Sequence, residues 1–157
     1  MPTTCDDVIW MLDLIAACGG RPILVGGWGI DALLAKQSRD HRDLDVLLDD
    51  ALIPRVVAAL EKAGFVVITD WLPVRVELAD YSKDRFIDLH PLFTDGRDGF
   101  WQHGLGGGRF DYPVETFTAG TINGRAVGCL TPHKQIDLHV HGHVKVLAGG
   151  QEKSSRW

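Results

Sequence analysis

The sequence is short of several things, and each shortage narrows what the chain can be. Its three cysteines, Cys5, Cys18 and Cys129, are odd in number and scattered, with no Cys-x-x-Cys pair. That argues against a disulfide framework or a cysteine zinc knuckle and predicts reduced thiols in a cytoplasmic protein. No run approaches the ~18 apolar residues that a membrane helix requires, so no membrane insertion is expected. The opening MPTTCDDVIW carries acids where a secretory leader carries Lys or Arg, and Asp13 breaks the apolar stretch behind it, which predicts no export. Positive charge is scarce as well. Sixteen Lys and Arg against 21 Asp and Glu leave a formal net charge of −5, which disfavours a nucleic-acid duplex, because binding one draws on surplus cations at phosphates. A small or cationic acceptor suits this balance better. No repeat, linker or low-complexity segment divides the 157 residues, so a single domain over 1–157 is expected.

What is present is an alternation of helical and extended patterns. Val8, Ile9, Met11, Leu12, Ile15 and Ala16 recur at helical spacing until Gly19-Gly20. Pro22 to Val25 then reads as a buried strand, Gly26-Gly27 as a turn, and Trp28 to Leu34 as a helix. Lys36 to Arg42 form a loop, Leu44 to Leu48 a strand, and Ile53 to Ala63 a helix with Gly64 at its C-cap. Phe65–Thr69, Val74–Leu78 and Arg85–Leu89 are expected as antiparallel neighbours. Thr94 to Arg109 holds six of the 18 glycines and reads as a loop, either mobile or wrapped over a site. Thr121 to Val127 carries Asn-Gly at a hairpin tip, and Thr131-Pro132 opens a last helix.

Two of these segments carry chemistry. On a strand, side chains alternate faces, so Asp43 and Asp45 point one way while Leu44 and Val46 enter the core. Paired carboxylates in a partly buried site repel unless a cation sits between them, and Mg²⁺ is a hard cation that favours oxygen ligands. A third acid, Asp88, lies in the apolar strand Phe86-Ile87-Asp88-Leu89-His90. A strand turning through Gly26-Gly27 into a helix offers backbone N–H groups and a positive dipole end to a phosphate. Taken singly, Asp-x-Asp reads as a solvated strand edge, Gly-Gly as an ordinary turn and Trp28 as a packing residue. Together, three acids, metal ions and a phosphate cradle point to nucleotidyl transfer.

In order and spacing, Gly26-Gly27, Asp43, Asp45 and Asp88 resemble the signature of the minimal nucleotidyltransferase superfamily. GGWGIDALLAKQSRDHRDLDV, WLPVRVEL and FIDLHPL are similar to segments of the small lincosamide nucleotidyltransferases, and the first block also to aminoglycoside nucleotidyltransferases. The likeness covers most of the chain. It implies the α/β (α+β) nucleotidyltransferase fold of DNA polymerase β type, a mixed sheet flanked by helices. It further implies that Asp43 and Asp45 hold Mg²⁺ against the triphosphate of ATP, and that Asp88 completes a metal site or takes the proton of the acceptor hydroxyl. Arg39, and more weakly Lys36, would contact the triphosphate, while Arg75, Glu77 and His90 would border the acceptor. Read from the residues alone, Arg75 and Glu77 are equally a same-face surface pair.

The implied activity is transfer of AMP, or another NMP, to a hydroxyl of a small antibiotic, a lincosamide first and an aminoglycoside second. A non-catalytic nucleotide-binding module of the same fold is the contrasting expectation. The chain departs from the family pattern near its end, where a longer loop after Gln135 and His139 is missing and His143 replaces an expected aspartate. His133, His139, His141 and His143 read as a surface cluster or as one acceptor-pocket histidine more readily than as a zinc site. With no chain after Trp157 to roof the acceptor side, the expected closing surface is the Thr94–Arg109 loop or the second subunit of a homodimer.

Overall fold

The computed structural model describes residues 2–138. Helix α1 (Cys5–Ala17) begins with a capping box: the Thr4 hydroxyl accepts from the Asp7 N–H, and the Asp7 carboxylate accepts from the Thr4 N–H. Its buried stripe is Val8, Met11, Leu12 and Ile15. Strand β1 (Ile23–Val25) passes without a linker into α2 (Gly26–Leu34). Gly26 makes that reversal at φ +64°, a backbone state that side chains disfavour. Strand β2 (Leu44–Asp49) leads through a 3₁₀ turn, Asp50–Leu52, into α3 (Ile53–Lys62), and Gly64 ends it at φ +106°.

Next come β3 (Val66–Trp71), β4 (Arg75–Asp80) and β5 (Arg85–Thr94), each antiparallel to the one before, as expected. The segment read as a glycine-rich loop proves instead to be mostly a hairpin of β6 (Gly99–His103) and β7 (Arg109–Pro113), with β6 paired to the end of β5. Gly96, Gly106 and Gly107, all at positive φ, sit in the turns. They leave short alternating strands in which Tyr112 is buried while its neighbour Asp111 is exposed. The glycines signalled a loop because they mark two tight turns set close together. Strands β8 (Phe117–Ile122) and β9 (Arg125–Leu130) form the expected hairpin, with Asn123 and Gly124 at φ +50° and +81° in its turn. Residues 132–138 are helical, and His139, His141 and His143 lie outside the described residues.

The main sheet runs β3-β4-β5-β2-β1-β9-β8 and is mixed, with β2 parallel to β5 and β1 parallel to β9. Helices α1, α2 and α3 bury one face through a core that includes Leu24, Leu44, Val46, Ile87 and Leu89. The opposite face is closed over β1 and β2 by Tyr112 and Leu138, which pack with Val25 and Leu47.

Helix α2 lies so close to β1 that a Cβ on Gly29 would stand 2.6 Å from the Leu24 carbonyl oxygen. Gly29→Ala must push the helix off the strand, and overpacking of this kind costs about 1–3 kcal/mol. Urea unfolding should show a lower midpoint for the variant, and an unchanged midpoint would mean that this packing is looser than described.

Candidate active site

The register places the acids in one row on the face away from the helices. Val25 pairs with Asp45, Asp45 with Asp88, Asp88 with Glu77, and Glu77 with Thr69, so five strands each contribute one side chain. Strand alternation accounts for this: Leu44, Val46, Ile87 and Leu89 fill the helix-side core at 0% exposure and turn the intervening acids outward. The next row holds Leu47 and His90 as partners, then Arg75 and Trp71 as partners, with His90 and Arg75 brought together by the pairing of Val76 with Leu89.

Asp45, Asp88 and His90 are all buried, and one ligand atom from each lies within 4.8 Å of the others. His90 Nε2 is 3.3 Å from Asp45 Oδ1 and 3.9 Å from Asp88 Oδ2. The Arg75 guanidinium donates to Asp88 Oδ2 at 3.0 Å and to Glu77 Oε1 at 3.3 Å. Thr69 Oγ1 also donates to Glu77 Oε1, and Arg42 bridges Glu77 Oε2 at 3.0 Å and Asp43 Oδ2 at 3.3 Å. Burial pushes the Asp45 carboxyl up to about 7, and the Asp43 charge adds to the shift, only partly offset by the hydrogen bond with His90.

A divalent cation suits this donor set. Asp45 is flanked by Asp43 and Asp88, so its ionisation is opposed by neighbouring charge, which a hard oxygen-seeking ion such as Mg²⁺ would relieve. His90 serves better as the hydrogen-bond partner that orients Asp45 than as a Mg²⁺ ligand, since Mg²⁺ prefers oxygen.

The expected residues therefore fall into five groups. Asp45 and Asp88 meet at the centre, joined by His90, which had been expected at the acceptor border. Asp43 stands just before β2, near enough to raise Asp45 but paired with Arg42. Arg75 and Glu77 are not a surface pair: they are 4% and 1% exposed and bound to each other. Gly26 and Gly27 form the N-terminus of α2 directly after Val25, the partner of Asp45, so the helix opens beside the acids. Arg39 and Lys36 are exposed on the connecting loop, where the Arg39 carbonyl accepts from Gln37.

The sequence reading did not single out the network that anchors this loop. His41 Nε2 lies 2.6 Å from Asp31 Oδ2, and Ser38 Oγ donates to Asp31 Oδ1 at 2.5 Å. The His41 ring fills the space where any Gly27 side chain would stand. Thr3 binds the backbone on both sides, its N–H donating to the His41 carbonyl and its hydroxyl to that of Arg42. The one sequence signal for this network is Asp31, an acid beside Ile30 and Ala32 in an apolar helix.

Comparison with known proteins agrees with this geometry. The family model described as aminoglycoside-2''-adenylyltransferase matches residues 7–154. A lincosamide resistance protein of Staphylococcus haemolyticus is 29% identical over 133 residues, 85% of this chain and 82% of that protein. The crystal structure of the lincosamide antibiotic adenylyltransferase LnuA with lincomycin bound superposes with a TM-score of 0.80 at 26% identity, covering 96% of this chain and 98% of that one. The solution structure of the antibiotic-resistance factor ANT(2'')-Ia gives a TM-score of 0.73 at 21% identity, over 99% of this chain and 80% of that one, a likeness of fold.

A carboxyl held near 7 that titrates near 3.8 in the unfolded chain binds its proton more tightly in the native state. Its stabilising contribution is therefore complete below pH ~4 and declines as pH rises toward 7. Without divalent cations, Asp45→Asn should be more heat-stable than the native protein at pH 8, and the gap should close toward pH 4. Melting temperatures of both proteins across that range test this, and a gap that widens toward acid pH would contradict it.

Proposed function

The chain belongs to the aminoglycoside-2''-adenylyltransferase family, and on that footing we propose that it transfers AMP from ATP to a hydroxyl of a lincosamide antibiotic, inactivating it. The observation that carries the reading is the buried row Asp45–Asp88–Glu77, which starts beside the helix N-terminus formed by Gly26-Gly27. The likenesses to the lincosamide resistance protein and to LnuA, each spanning most of both chains, favour a lincosamide. The family description keeps an aminoglycoside as the second acceptor.

Each residue has a part that its position supports. Asp43 and Asp45 would hold Mg²⁺, which would supply positive charge against the phosphates during the displacement. The first turn of α2 presents N–H groups to the triphosphate, and Arg39 reaches it from the loop. Asp88, oriented by Arg75, takes the proton of the acceptor hydroxyl as its oxygen attacks the α-phosphorus and pyrophosphate leaves. His90 keeps Asp45 aligned, and Glu77 spaces Arg75 from Arg42.

The protein works as one cytoplasmic domain, with no nucleic-acid or membrane partner, in a homodimer whose two chains share acceptor contacts. The β6–β7 hairpin covers the β1–β2 side of the acid face. The β3–β4 side, where Trp71 and Leu72 remain 36% and 46% exposed, is left for the acceptor and a second copy.

Pyrophosphate release with Mg²⁺ and ATP should be fast with lincomycin, slower with kanamycin and negligible with neither. Asp88→Asn should lower kcat by about 10²-fold or more with little change in the KM for ATP, because a proton acceptor acts on the transition state. Unchanged kcat with weaker ATP binding would assign Asp88 to the nucleotide instead. Sedimentation with nucleotide and acceptor should report a dimer, and a fully active monomer at working concentration would remove the second chain from the site.

A further inference from the structure

The in-line geometry divides the site into two sides. On the transferase reading above, the triphosphate is taken up toward β1, at the helix N-terminus that follows Val25, and the attacking hydroxyl arrives from the opposite side of the α-phosphorus. Across the sheet that direction runs from Asp45 over β5 and β4 to β3. The row there is His90, Arg75 and Trp71, and with strands about 4.8 Å apart, Trp71 stands roughly 10 Å from His90, the span of a small antibiotic.

Trp71 is fixed to the reacting groups. The Arg75 guanidinium carbon is 4.7 Å from the centre of its ring, while the same guanidinium donates to Asp88 at 3.0 Å. The tip of the β3–β4 hairpin is held by the Val74 N–H on the Trp71 carbonyl at 2.8 Å and by the Leu72 N–H on Asp70 Oδ1 at 3.3 Å. Trp71 nonetheless keeps 36% of its surface exposed and Leu72 46%, at a lip where the neighbouring Arg75 and Glu77 are buried. A large, rigid amphipathic ring held at the exposed end of a buried polar row can grip a ligand with an apolar flank at low entropic cost.

We propose that Trp71, with Leu72 beside it, is an acceptor-recognition surface: the indole packs against the apolar flank of the acceptor and presents its hydroxyl to Asp88. The inference rests on the antibiotic-transferase reading above and adds the residue that selects the acceptor.

The test separates acceptor from nucleotide. Trp71→Ala should raise the KM for lincomycin about tenfold, as loss of an aromatic anchor does, and leave the KM for ATP and the melting temperature nearly unchanged. Trp71→Phe should restore most of the loss. Trp71→Leu keeps an apolar side chain without the ring; if the alanine variant does not fold, this one should bind lincomycin more weakly by calorimetry in the absence of nucleotide. An unchanged acceptor KM in an active enzyme, or equal rises for acceptor and ATP, would overturn the role of Trp71 and leave the transferase reading intact. A wild-type protein that releases no pyrophosphate with lincomycin or kanamycin would overturn both.

Discussion

Repulsion among carboxylates that face one another inside the sheet is the constraint around which the rest of the site is arranged. Asp45 and Asp88 sit opposite each other on parallel neighbours at 5% and 0% exposure, and Asp43 adds a third charge at the start of β2. Water cannot screen charges placed there, so their mutual energy is far larger than on a surface. Burial first, with the Asp43 charge adding to it, holds the Asp45 carboxyl near 7. The surrounding polar side chains serve to manage this charge.

The compensation is built in layers. Arg75 joins Asp88 to Glu77, and Arg42 joins Glu77 to Asp43, so a chain of alternating charge runs along the row. Arg42 itself rests over the Phe86 ring at 4.3 Å, which keeps an otherwise exposed side chain in reach of both acids. Breaking one partner of such a buried set leaves an uncompensated charge, and the network is expected to respond as a unit. The Asp31–His41 pair performs a related task at a distance. It ties the loop that delivers Asp43 to helix α2, whose first turn opens beside the acids.

Much of this was legible in the sequence for physical reasons. Strand alternation alone put Asp43 and Asp45 on one face and Leu44 and Val46 in the core, the glycine pair marked the entry to a helix, and Asp88 stood out as a charge in an apolar strand. The same local signals misread Thr94 to Arg109, since glycines crowded into two turns look like a loop when the short strands between them are not yet paired.

Local pattern determined most of the elements, the acid set and the glycine turn into α2, because each depends on periods of two or 3.6 residues and on backbone states that few residues adopt. Register between strands distant in sequence decided the rest. It brought His90 beside Asp45 and Asp88, buried Arg75 against Asp88 and put Trp71 opposite Arg75, while the packing of a loop on α2 set His41 against Gly27. Several of these neighbours lie 10 to 45 residues apart, as Asp31 and His41 or Asp45 and His90 do, and no local period encodes them.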